Sequence, residues 1–166
     1  MSLALTLLEE LEAEAATTRR VFDRIPDAHL AWAPHPKSRT LGQLAMHLAQ
    51  NPGGVMALAA QNPATFPEGA PELTPASMRD VHDALTVSLA QARELLAAMS
   101  DADLAATWRV TANGAELMAM PRQDFLRTVL LNHWYHHRGQ LTVYLRLLDL
   151  PLPSVYGPSA DENPFM

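Results

Sequence analysis

Apolar residues recur at steps of three and four from the start of the chain. Leu3, Leu7, Leu8, Leu11, Ala15, Thr18 and Phe22 make one stripe of an amphipathic helix. Ser2 can cap its start, and Pro26 should stop it. Pro26, Pro34 and Pro36 keep the stretch up to Thr40 in a loop. Ser38 or Thr40 can then cap a second helix over LGQLAMHLAQ. Asn51-Pro52-Gly53-Gly54 is expected to break that helix, which resumes through VMALAAQ. Residues 62–76, with four prolines and one glycine, read as a surface connection.

Thr74-Pro75 sets a cap residue before a proline at a first helical position. A third helix should run from there to Met99, with Met78, Val81, Leu85, Leu89, Ala92 and Leu96 as its stripe. Asn113-Gly114, between two short alternating runs, predicts a small hairpin within residues 107–119. Pro121 should open a fourth helix that ends near Leu148, and the proline-rich tail beyond should be irregular. Four long amphipathic helices and one hairpin predict an all-α four-helix bundle, a single domain over residues 1–166.

Composition narrows the function. The 166 residues suffice for a packed core, and no apolar run approaches the roughly 20 residues of a membrane span. The acidic, periodic N-terminus lacks the charge pattern of a secretory signal, so the expectation is a cytoplasmic protein. The absence of cysteine excludes disulfides, thiolate ligands and a cysteine nucleophile. A net charge of −6, with 12 basic side chains and no basic patch, argues against nucleic acid as a partner. There is no phosphate-binding glycine loop.

Seven histidines remain, three of them in LNHWYHHRGQL. With about 100° per residue and His133 at 0°, Leu126 and Tyr144 fall at about 20°, Leu130 at about 60° and Leu141 at about 80°. This predicts a buried face centred at about 20–60°, with His133 and His137 (about 40°) pointing inward, His136 (about 300°) on the shoulder and Arg138 (about 140°) outward. An i, i+4 pair of imidazoles can reach one metal ion. On the second helix Gln43, His47 and Gln50 border the apolar face, so His47 could complete a three-histidine set with open positions. The competing reading is that these are neutral, hydrogen-bonded core histidines. His82 lies at the edge of the third helix stripe, as a structural residue or at a pocket rim; His29 and His35 read as solvated or turn residues, and Trp32, Trp108 and Trp134 as packing anchors.

Trp32-Ala33-Pro34 followed by LGQLAMHLA, the helix LNHWYHHRGQLTVYLR and the ending LPLPSVYGPSADE together resemble the DinB/YfiT-like family of metal-dependent proteins. The likeness spans nearly the whole chain. It implies an up-down-down-up four-helix bundle, a homodimer, and a metal held by His47, His133 and His137. It also implies chemistry seen in characterised relatives: S-transfer with bacillithiol, mycothiol or glutathione, and thiol-dependent maleylpyruvate isomerisation.

A divalent ion on three neutral imidazoles can activate a thiol for S-transfer or water for hydrolysis. The leading expectation is a thiol S-transferase acting on a small molecule; a hydrolase working through hydroxide and a non-catalytic metal or ligand binder are the alternatives. Nitrogen-only ligands suit Zn, Ni or Fe. Gln43, His82, His136, Gln140 and Tyr144 are the expected orienting or pocket residues.

Overall fold

The computed structural model describes residues 2–65, 69 and 72–166. Helix α1 (Leu3–Phe22) starts where Ser2 Oγ accepts the Leu5 N–H at 3.3 Å. It buries Leu7, Leu11, Ala15 and Phe22. A 3₁₀ turn, Asp27–His29, interrupts the following loop. Helix α2 (Leu41–Ala59) opens with a reciprocal cap between Thr40 and Gln43. Helix α3 (Met78–Ala97) opens with the same device between Ser77 and Asp80. The start expected at Thr74-Pro75 is therefore too early: the Asp80 carboxylate takes the N–H groups of Ala76 and Ser77, and Asp27 takes that of Met78. The predicted connection 62–76 includes residues 66–68, 70 and 71, which lie outside the described residues.

After a short α4 (Asp101–Ala105), strands β2 (Thr107–Ala112) and β3 (Ala115–Pro121) form the expected hairpin. Its turn places Asn113 and Gly114 at φ 50° and 76°, a left-handed pair that asparagine and glycine tolerate. Beyond the expectation, β1 (Ala64–Thr65) adds a third strand, parallel to β2. Pro121 closes β3 rather than joining a helix. A continuous helical run follows in three parts: α5 (Arg122–Phe125), a π-helical stretch (Leu126–Asn132) and α6 (His133–Leu147).

The core lies where α1, α2, α3 and the last run pack together. Trp108 and Trp134 are fully buried, and Trp108 stacks on Phe125 at 3.9 Å. Trp32 is half-buried, edge-on to Tyr144. The tail after α6 is irregular, and Glu162 ties it to Arg20 and Arg24 of α1. No helix among the described residues is long and apolar enough to cross a membrane.

Two further corrections concern helices. Helix α2 does not break at Asn51-Pro52-Gly53-Gly54; Pro52 lies inside it. Proline removes the N–H that Leu48 O would accept. Trp134 Nε1 donates to that carbonyl instead, at 2.9 Å. The next N–H, of Gly53, goes to Ser88 Oγ at 2.7 Å. A Cβ at Gly53 would come within 3.0 Å of Ser88 O, so glycine lets α3 approach this closely. Tertiary partners thus replace the bonds that the local sequence forfeits.

The second correction concerns the last run. Its buried residues after His133 are Trp134, Arg138, Leu141 and Leu145, at about 100°, 140°, 80° and 120° from His133. The histidine pair stands at the edge of this face, not its centre, and Arg138 points inward rather than outward. The π turns explain the error. Counted back from His133 at roughly 80° per residue, Leu130 and Leu126 fall at about 120° and 160°, on the face that is buried.

Candidate metal centre

His47 from α2 and His133 and His137 from α6 bring one ring nitrogen each to within 4.8 Å of one another. Among the described residues this is the one grouping of three or more side chains of metal-ligating type. The rings meet edge to face, with centroids 5.2 Å (His47–His133), 4.7 Å (His47–His137) and 4.4 Å (His133–His137) apart.

Two amides flank the imidazoles of α6. Asn51 Nδ2 donates to Leu130 O at 3.0 Å, which turns its Oδ1 toward His133 Nδ1, 3.1 Å away. Gln140 Oε1 lies 2.7 Å from His137 Nδ1. A proton on each Nδ1 suits those two oxygens and leaves both Nε2 atoms with lone pairs. Those Nε2 atoms are 2.8 Å apart. Two facing lone pairs at that distance repel unless a proton or a cation lies between them. His47 Nε2 is buried and has no hydrogen-bond partner among the described residues. A buried unpaired nitrogen is costly; a cation shared with the other two rings would satisfy it. The donor set thus fits a divalent metal.

Electrostatics favour the same state. Burial, then the charge of Arg39, then the other two histidines push the His47 pKa down to about 4. Burial also lowers His133 and His137, partly opposed by the backbone at Val129 and by Gln140. All three are neutral at pH 7, as ligands must be. In metal-free protein the unfolded chain, with histidines near pKa 6.5, binds more protons than the folded one below that pH. This contribution to stability is complete above about pH 6.5 and is lost as the pH falls toward the folded value of about 4. Thermal unfolding in chelator should show a midpoint that drops between pH 6.5 and 4.5, and drops less in His47→Gln. Equal pH slopes for the two proteins would refute the shift.

The remaining expected site residues divide. Gln140 and Tyr144 line a cavity of about 390 Å³ with His137. Gln43 lines a second, of about 230 Å³, with His47 and Gln50, but its carbonyl already caps α2. His136 is exposed and contributes no nitrogen to the cluster, although its ring lies 5.1 Å from that of His137. His82 is not brought to the centre; it sits between α1 and α3, 3.4 Å from Asp23 and edge-on to Phe22. His29 is half-buried, and His35 is exposed in its loop, where its Nδ1 accepts the Lys37 N–H. Sequence reading missed Asn51, taken there as part of a breaker. The available signal was its position four residues after His47, on the same side of the helix.

Comparison with known proteins places the family and the fold. The DinB family model matches residues 1–164. The chain is similar to "Uncharacterized protein YrdA" of Bacillus subtilis (strain 168), 29% identical over 157 residues that cover 93% of this chain and 89% of the relative. A crystal structure of a DinB-like protein from Bacillus cereus ATCC 10987 superposes with a TM-score of 0.71 at 27% identity, over 90% of this chain and 95% of that one. A DinB-like protein from Bacillus subtilis, YjoA, shares the fold at a TM-score of 0.68 and 17% identity, over 89% and 96% of the two chains.

Proposed function

The chain belongs to the DinB family, and from that premise we propose that it is a metal-dependent enzyme that transfers a low-molecular-weight thiol, with His47, His133 and His137 as the ligands of one divalent ion. The observation that carries the reading is the convergence of three neutral imidazoles, one with a buried and otherwise unpartnered nitrogen. A Zn, Ni or Fe ion held there supplies Lewis acidity that lowers the pKa of a thiol or of water at an open position. Asn51 and Gln140 hold the two α6 imidazoles in the tautomer that offers Nε2. Tyr144, braced by Trp32 and by its hydroxyl on Arg39 O at 3.4 Å, walls the cavity where a substrate would lie.

S-transfer is favoured over hydrolysis by the shortage of a general base. The acid that lines the two cavities is Glu72, and it is paired with Arg39. A thiol, with an intrinsic pKa of about 8.5, is far more acidic than water and ionises on a metal without the help of a base. The same reading takes α1, α2, α3 and the last helical run as an up-down-down-up bundle. Its support is the packing of α1 and α2 each against both α3 and α6. It also takes the protein as a homodimer, on the strength of the family resemblance.

The test is turnover. Metal-loaded protein incubated with a small thiol and an electrophile should consume both, and the His133→Ala protein should not. Hydrolysis of an ester or amide panel without thiol consumption would replace S-transfer by the hydrolase alternative. Tight metal binding with no turnover of either kind would leave a metal or ligand binder.

A further inference from the structure

Two cavities reach the histidine cluster, one on the His137 side and one on the His47 side, and the Arg39–Glu72 pair lines both. Arg39 Nε donates to Glu72 Oε1 at 2.5 Å. Among the described residues the guanidinium makes no other hydrogen bond, and it lines both cavities. Lys37 lines the larger cavity as well. The mouth therefore carries two cationic side chains against one carboxylate, before any metal adds its charge. That local sign opposes the net charge of −6 on the whole chain.

We infer that Arg39 is the carboxylate-binding residue of the centre, where a substrate carrying a carboxylate close to its reacting sulfur displaces Glu72 and is held with that sulfur toward the histidines. The inference rests on the thiol reading above and names the class of thiol. Glu72 is the guide to the ligand, since a carboxylate already occupies the guanidinium. Its hold is weak, because the two side chains are 33% and 46% exposed and such pairs are screened by water. A ligand that gains a second anchor at the centre can replace it. The planar fork of arginine donates two parallel N–H bonds to a carboxylate. Focused positive charge at the mouth would also speed the approach of an anion.

Calorimetric titration of untagged, Zn-loaded protein tests this with three probes: mercaptoacetate, 2-mercaptoethanol and acetate. Wild-type protein should bind mercaptoacetate about tenfold more tightly than 2-mercaptoethanol, as expected for one charge-assisted pair. Arg39→Ala should erase that preference and leave 2-mercaptoethanol binding unchanged. Glu72→Gln, which removes the competing carboxylate, should tighten mercaptoacetate binding. Equal binding of the two thiols by wild type overturns the inference, as does a preference that survives in Arg39→Ala. Equal weakening of both thiols in Arg39→Ala also overturns it, because the arginine then only anchors its loop. If neither thiol binds more tightly than acetate, the thiol reading fails. Arg39 is then judged separately: acetate affinity that falls in Arg39→Ala supports the carboxylate site, and unchanged affinity overturns it.

Discussion

Alanine in place of His47, His133 or His137 is expected to lower affinity for a divalent ion by more than 100-fold in each case, beyond the roughly 10–100-fold typical of losing an orienting partner. Each substitution removes one of three protein ligands, and the two imidazoles left behind cannot enclose the ion. Asn51→Ala should fall within the smaller range. It leaves His133 in place but frees its ring and its tautomer. His136→Ala should bind as wild type does, because its ring stands outside the cluster. Competition against a chromophoric chelator would rank the five variants. Wild-type affinity in all three ligand variants would leave the histidines as neutral core residues. Loss in His136→Ala with retention in His137→Ala would mean that α6 is turned by about one position.

A large loss of stability is expected from Glu14→Gln, although Glu14 is far from the centre in role. It is the counter-ion of Arg138, whose side chain is 2% exposed. The guanidinium lies 2.5 Å from the Glu14 carboxylate and donates to Glu14 O at 3.1 Å and to Thr18 Oγ1 at 3.3 Å. The rings of Tyr135 and Tyr156 flank it, with centroids at 5.5 and 5.1 Å. Removing the carboxylate strands a buried cation, which costs about 3–5 kcal/mol when one partner of such a pair is lost. Urea unfolding should show that loss. The double variant Glu14→Leu/Arg138→Met should recover much of it, since no charge is then buried. A single-variant loss below about 1 kcal/mol would mean that solvent screens the pair as it does at the surface.

Local patterns carried much of this molecule into view. The stripes of α1 and α3, the cap at Ser2 and the Asn113-Gly114 turn all depend on neighbours within a few positions, and each appears where the sequence places it. His133 and His137 fell on one side of a helix by spacing alone, and His47 entered as a candidate from its place beside an apolar face. The failures share a physical cause. Pro52 is helical because Trp134 and Ser88, both distant in sequence, complete its hydrogen bonds. Arg138 is buried because Glu14, over a hundred positions earlier, neutralises it. The Arg39–Glu72 pair joins two loops with no periodicity to betray it. No residue type in 126–132 announces π turns, so a fixed 100° step rotated the last helix's inner face in the reading.

Those π turns hold one residue more than a regular helix would need. Seven residues at roughly 80° each turn through about 560°, close to the roughly 600° of six α-helical residues. The stretch behaves as a six-residue segment that has absorbed an insertion without disturbing the phase on either side. Its ends, the hairpin junction near Arg122 and the imidazoles of α6, therefore stay in register whether or not the extra residue is there. The exposed Thr128 sits where a deletion could be taken up by relaxation to plain α-helix. The same deletion inside α6, between His133 and His137, would swing one imidazole away from the other by about 100°. Chain length is thus negotiable one turn before the cluster and fixed within it.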